Sequence, residues 1–205
     1  LLSNFKELGI TNLICTPHTI SDYYPNTPDT ILAAKQELED FLIQNNQKDF
    51  TIKASSEYMM DSSFANLIDE KKILPLKDNY VLVEMSYLHP PINLREILFK
   101  LGNAGFIPVL AHPERYAFYH KTYDVYNDLA SICKFQLNAL SIGGYYGPGI
   151  AKIAQQLLTD GKYEFLGTDT HHMRHIEGLK NVKFAGKYEL AIDRIISNTN
   201  ATFTN

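Results

Sequence analysis

The sequence predicts an α/β protein of parallel strands joined by helical crossovers. Two observations carry this. Short apolar runs alternate with helical segments along the whole chain, the pattern of parallel strands with crossover helices. Ionisable residues also gather at the C-terminal ends of those runs, namely His18, Glu57, Glu84, His112, Asp169 and His171. In a β/α barrel that rim is where sites are built, from the ends of several strands. No linker-like shift in composition and no short internal repeat divides the chain, so residues 1–205 are expected to form one domain.

Each element has its own local reason. Leu1, Leu2, Phe5 and Leu8 share one helical face, and Gly9 is a stop signal. The chain therefore opens inside a helix and without Met, as a chain whose beginning is missing would. Ile10 to Cys15 is the first predicted strand, ending in Thr16-Pro17-His18. After a loop rich in Pro, Asn and Tyr, Thr27 is an N-cap and Pro28 a first helical residue. That helix is expected to reach about Asn46, with Ile31, Leu32, Leu38, Phe41 and Leu42 inward. Phe50 to Ala54 is the second strand, followed by Glu57, and Asp61 or Ser62 caps a helix to about Glu70. Tyr80 to Val83 is the third strand, ending at Glu84. Asn93 to Ala104 is a helix stopped by Gly105, and Phe106 to Ala111 is the fourth strand, ending at His112-Pro113-Glu114-Arg115-Tyr116. A helix over about Tyr123 to Cys133 precedes the strand Phe135 to Leu140 and the glycine-rich stretch Ser141 to Gly149. Helix Ile150 to Leu158 leads to a sixth strand, Tyr163 to Thr168, and Arg174 to about Ser197 is helical with a polar tail.

Composition narrows the function. Hydrophobic residues make up 45% of 205, enough for a substantial core. The formal net charge is -4 with no long basic run, which argues against nucleic acid and anionic membrane partners. No apolar stretch approaches a membrane span. Cys15 and Cys133 do not suggest a disulfide framework, and with no signal-peptide pattern they favour a reducing cytoplasm. Cysteine-based phosphatase chemistry needs an Arg six positions after the Cys. Cys15 is followed there by Ser21 and Cys133 by Ala139. A Gly-x-Ser-x-Gly elbow and a P-loop are absent as well.

The rim residues suit a metal. In Gly167-Thr168-Asp169-Thr170-His171, alternate residues of an extended segment point one way, so Asp169 and His171 can face one point. Carboxylate oxygen and imidazole nitrogen are ligands for zinc, manganese or iron. Glu84 closes an apolar strand and needs a partner if buried, a metal or an arginine. His112 sits between Ala111 and Pro113; its ordinary alternative is a satisfied histidine at a strand end. For His18 that alternative is a loop histidine, and Glu57 shares its loop with Asp61. Arg115 and Arg174 lie one short step beyond, and a guanidinium grips phosphate with two parallel hydrogen bonds. The alternative for each is a surface salt bridge. His120 and His175 are expected in solvent, and most of the 13 Tyr residues are expected to pack.

Thr16-Pro17-His18, the Glu57 loop, Val83-Glu84-Met85, Leu110-Ala111-His112-Pro113-Glu114-Arg115-Tyr116 and Gly167-Thr168-Asp169-Thr170-His171 together resemble a known pattern. It is that of the bacterial capsule-biosynthesis (CpsB/CapC-type) protein-tyrosine phosphatases of the polymerase-and-histidinol-phosphatase (PHP) superfamily. The resemblance runs from about Leu1 to Lys180. It implies a distorted TIM-like barrel of seven β/α units and up to three metal ions, manganese first, with iron or zinc as alternatives. It implies metal ligands at His18, Glu57, Glu84, His112, Asp169 and His171, and a substrate-phosphate arginine at Arg115. Arg174 falls near a second such arginine, at a different spacing from His171. The family's opening strand with Asp-x-His-x-His has no match, so the first strand is expected to be missing from this chain.

The resemblance further implies a metal-dependent phosphatase in which a hydroxide on the metal attacks phosphotyrosine. The substrate would be a phosphotyrosine protein, a bacterial tyrosine kinase of polysaccharide export, and the setting capsule or exopolysaccharide synthesis. Two alternatives stand beside it: a phosphatase of a small phosphomonoester such as histidinol phosphate, and a non-catalytic binding module without a complete metal site. Oligomeric state is not legible.

Overall fold

The computed structural model describes residues 1–184 and 186–204. Six strands form one parallel sheet in the order β2(His18–Thr19), β4(Glu57–Met59), β5(Tyr80–Glu84), β6(Ile107–Ala111), β7(Lys134–Asn138) and β8(Tyr163–Gly167). Two more, β1(Asn12–Cys15) and β3(Thr51–Ala54), pair only with each other. The first two strands expected from the sequence are thus β1 and β3, and each is followed by a short further strand, β2 and β4, that was not expected. The cause is local. Pro17 has no N–H to give a ladder, and the chain bends at Thr16-Pro17 opposite Ser55-Ser56. Pairing nevertheless continues across the bend at a constant offset, Asn12 with Thr51 and His18 with Glu57. The Ser55 N–H donates to Cys15 O at 2.9 Å and the Glu57 N–H to Pro17 O at 3.1 Å. The bend turns the last residues of both strands into the main sheet, and those residues include His18 and Glu57.

The helices follow their sequence signals. Helix α1(Leu2–Glu7) ends before Gly9, and α2(Pro28–Gln44) starts in a capping box between Thr27 and Thr30. Ile31 and Leu42 of α2 are buried, but Leu32 and Phe41 are exposed, contrary to the expected inward set. The Asp61 carboxylate caps α3(Ser62–Asp69) through the Phe64 N–H at 2.9 Å. Helices α4(Leu94–Asn103), α5(Asp124–Ala130) and α6(Pro148–Thr159) are the remaining crossovers. Gly105, at φ +88, turns the chain from α4 into β6.

The sheet has a core on each face. Val81, Val83, Leu110, Phe135, Leu137 and Tyr163 pack with the crossover helices, while Leu82, Val109, Ala111 and Phe165 form a smaller core with Leu76 and Phe203. Glu84 follows Leu82 by two residues, so it shares that second face.

The expected helix over 174–197 is two helices, α7(Met173–Asn181) and α8(Glu189–Phe203), and the expected polar tail is the end of α8. The edge of β8 explains α8. The Leu166 N–H donates to Thr199 Oγ1 at 2.9 Å, and Arg194 Nη2 donates to Tyr163 O at 2.9 Å. Side chains of α8 thus satisfy an edge strand that would otherwise be open, and Phe203 closes the smaller core against Phe165. Among the described residues no ladder joins β8 to β1 or β2. The sheet still curls, because His18 on its first strand and His171 after its last lie with their Nε2 atoms 3.2 Å apart.

Candidate metal centre

Four side chains at the C-terminal rim form a ring in which imidazoles and carboxylates alternate. His18 Nδ1 lies 2.8 Å from Glu84 Oε1 and 3.6 Å from Glu57 Oε2. His112 Nε2 lies 3.1 Å from Glu57 Oε1 and 3.9 Å from Glu84 Oε2. The ring follows from register: His18 pairs directly with Glu57, and Glu84 pairs with Met59 on the same strand as Glu57. His112 follows β6 at φ +36, a left-handed conformation directly before Pro113. Both features cost energy in a non-glycine residue, and such strain concentrates at functional sites.

The second part of the site comes from the loop after β8. Asp169 Oδ1 is 3.3 Å from His171 Nδ1, and Asp169 Oδ2 accepts from Arg115 Nη1 at 2.7 Å and from Asn138 Nδ2 at 3.0 Å. Sequence reasoning had Asp169 and His171 converge by strand alternation. Instead Asp169 is left-handed, at φ +47, and the turn brings the two together. A Cβ at Gly167 would lie 2.6 Å from Gln136 Oε1, so the residue before this turn has to be small or Gln136 must move. Arg174 sits in the first turn of α7, exposed and, among the described residues, without an ion pair.

Several residues of the site carried no sequence signal or a misleading one. His175 was expected in solvent; it is buried, with Nδ1 3.1 Å from both Asp169 O and the His171 N–H. Burial and the neighbouring His172 lower its pKa. His120, also expected in solvent, is half-buried with Nε2 2.8 Å from Glu114 O. Glu114 is fully buried behind the ring. Its Oε1 accepts from the Asn138 N–H and its Oε2 from Tyr163 OH, both at 3.0 Å. Burial raises its pKa. Asn138 and Glu114 occupy the same rim as the predicted ligands, and that position was the available clue. Tyr87 and Tyr146 pack on Arg115, a contact no spacing reveals.

The donor set fits a divalent metal. One ligand atom each from His18, Glu57 and Glu84 lies within 4.8 Å of the others. Both carboxylates are buried, which is costly unless cations neutralise them. His18 Nδ1 is buried and, despite its 2.8 Å approach to Glu84, is not aligned for a hydrogen bond; His112 Nδ1 is buried without a partner. The Glu84 contact pushes the His18 imidazole up to about 8, burial opposes it, and the charges of Glu84, Glu57 and Asp169 add to the rise. For His112 burial pushes down, the Glu57 hydrogen bond and charge push up, and the net direction is upward. Two imidazoles and two carboxylates suit zinc, manganese or iron.

Fold and site together define an α/β protein with a carboxylate–imidazole rim, able to hold a metal, at the C-terminal ends of parallel strands. The profile of the family described as "Capsular polysaccharide synthesis, CpsB/CapC" matches residues 1–180, and the chain belongs to this family. Among curated relatives it is 24% identical over 168 residues to the tyrosine-protein phosphatase YwqE of Bacillus subtilis (strain 168), covering 81% of this chain and 66% of YwqE. It is 22% identical over 215 residues to CapC of Staphylococcus aureus, covering 100% of this chain and 82% of CapC. A crystal structure from a study of YwqE and of CpsB from Streptococcus pneumoniae, described there as metal-dependent tyrosine phosphatases, matches with a TM-score of 0.79 at 21% identity. That match covers 97% of this chain and 85% of the other, and it shows the shared fold.

Proposed function

We propose that this chain is a metal-dependent protein-tyrosine phosphatase, a phosphoric monoester hydrolase acting in capsule or exopolysaccharide synthesis. The observation that carries the reading is the ring His18–Glu84–His112–Glu57 with Arg115 beside it, linked through Asp169 and His171. Membership of the capsule-synthesis family and the names of its relatives support it. In this reading His18, Glu57, Glu84 and His112 would hold the metal, with Asp169 and His171 as further ligands from the β8 loop. Manganese is the first choice, with up to three ions, and iron or zinc the alternatives. A divalent ion held there would supply Lewis acidity, lowering the pKa of the attacking water and offsetting phosphoryl charge. Arg115 leaves or shares Asp169 to donate its in-plane N–H groups to the phosphoryl oxygens, whose charge develops in the transition state. Arg174, exposed in the first turn of α7, is the second phosphate-facing arginine. In this reading no side chain has to become phosphorylated.

The architecture of this reading is the PHP type, a distorted (β/α)7 barrel. No helix among the described residues is long and apolar enough to cross a membrane, and in this reading the protein works in the cytoplasm on a phosphotyrosine-bearing kinase of polysaccharide export. The test is metal content by mass spectrometry, paired with p-nitrophenyl phosphate turnover with and without manganese. Two or three ions per chain with manganese-dependent turnover are expected. A metal-free, inactive protein would refute the reading. Faster turnover of a phosphotyrosine peptide than of histidinol phosphate is expected, and the reverse would change the substrate class.

A further inference from the structure

We infer that Tyr87 and Tyr146 are positioning residues for Arg115, holding its guanidinium plane so that its donors face the phosphate; the inference rests on the phosphatase reading above. The Arg115 guanidinium carbon lies 4.7 Å from the Tyr87 ring centroid and 4.2 Å from that of Tyr146. These distances are within cation–π range for both rings. The rings arrive from different loops, Tyr87 after β5 and Tyr146 after β7, while Arg115 follows β6. Three loops therefore converge on one guanidinium.

The chemistry of the group explains what two rings can do. All five donors of a guanidinium lie in its plane, and its faces carry none. An aromatic ring over a face leaves every donor free, while it restricts rotation out of the plane. Arg115 needs that restriction, because it has a strong alternative partner, Asp169 Oδ2 at 2.7 Å. A guanidinium free to roll would follow that carboxylate, whereas one confined by two rings can exchange Asp169 for a phosphoryl oxygen with little reorientation.

Both rings are themselves braced. Tyr87 lies 6.0 Å from the ring of Tyr116, which is fully buried and anchored. The Tyr116 hydroxyl accepts from the Met85 N–H at 2.9 Å and donates to Ala111 O at 3.2 Å. Tyr146 meets Tyr145 edge-on at 5.0 Å and His175 at 6.3 Å. The hydroxyls make only long contacts at the site, Tyr87 OH to His112 Nε2 and Asn138 Nδ2 to Tyr146 OH, both 3.4 Å. The rings, more than the hydroxyls, are therefore the functional parts.

The experiment is a set of ring-removing and ring-keeping variants, assayed on a phosphotyrosine peptide with manganese content measured in each. Tyr87→Leu and Tyr146→Leu are expected to lower kcat by roughly 3- to 30-fold apiece, with KM changed less and metal content unchanged. Tyr87→Phe and Tyr146→Phe should recover most of that loss. In an Arg115→Ala background the Leu substitutions should change kcat by less than about 2-fold, because the group they position is gone. An equal loss with and without Arg115, or Phe variants as poor as Leu, would overturn the inference. Should the unmodified protein hydrolyse no phosphomonoester, the phosphatase reading fails separately. Calorimetry of orthophosphate binding to the manganese-loaded protein then decides the positioning: weaker binding in the Leu variants only when Arg115 is present supports it, and unchanged binding overturns it.

Discussion

The two halves of the rim are built by different means. In the ring Glu57, Glu84 and His112 are buried and His18 is half-buried, and three of its members are placed by strand pairing. The half from the β8 loop is open. The His171 side chain is 49% exposed, and Asp169 and His171 are placed by a left-handed turn, Arg115, Asn138 and His175. Sheet register is cooperative and hard to shift, since a one-residue slip would turn every side chain to the other face. A loop held by side-chain hydrogen bonds moves at lower cost. Under the proposed phosphatase function this contrast is a division of labour: the buried half would hold the metal, and the open half would adjust as phosphate enters and leaves.

Substitutions in the two halves should therefore fail differently. The largest effect is expected from Glu57→Ala, which removes one of the two carboxylates that both histidines approach. Metal content should fall and kcat/KM drop by on the order of 10³-fold, the several kcal/mol a metal supplies. Retained metal and activity would show that the ring is not the binding half. Next comes Arg115→Ala, expected to keep its metal and lose turnover by about 10²- to 10³-fold; metal loss instead would make Arg115 structural. Glu114→Ala should act on stability. It leaves Tyr163 OH and the Asn138 N–H buried without their acceptor, at a cost of about 2–5 kcal/mol. A thermal midpoint lower by roughly 5–15 °C would report it.

Smaller effects should separate the halves further. His175→Ala touches only the open half and should lower turnover by about 10-fold while leaving metal content intact, the scale of losing a group behind a ligand. Proton competition should be felt in the buried half. His18, raised to about 8 by Glu84, is protonated at lower pH and must lose that proton to bind a metal. Metal affinity should thus weaken by about tenfold per pH unit below 8 and level off above it. A flat profile from pH 6 to 8, measured by competition with a chelating dye, would argue that His18 is not a ligand.

Much of the fold was legible because its signals are local. Thr27-Pro28, Asp61, Gly9 and Gly105 mark helix ends wherever they occur, and short apolar runs mark buried parallel strands. What was missed depended on partners distant in sequence. Leu32 and Phe41 of α2 look inward by periodicity, yet no element covers them fully. The polar Asn198-Thr199-Asn200 stretch looked like a tail, but Thr199 accepts the Leu166 N–H at the edge of β8 and so belongs to α8.

The site divides along the same line. By itself the sequence determined which groups stand on the rim, because each of the six residues ends or follows an apolar run. It could not set their distances from one another, which join residues as far apart as His18 and His171. The sheet's curl decided that contact, and the bend at Pro17 turned His18 and Glu57 into the main sheet. The roles of Glu114, Asn138, Tyr87, Tyr146 and His175 were likewise decided only by tertiary structure. A buried acid, a strand-end amide and a ring over a guanidinium gain their meaning from neighbours, and neighbours across strands and loops are fixed only once the chain has packed.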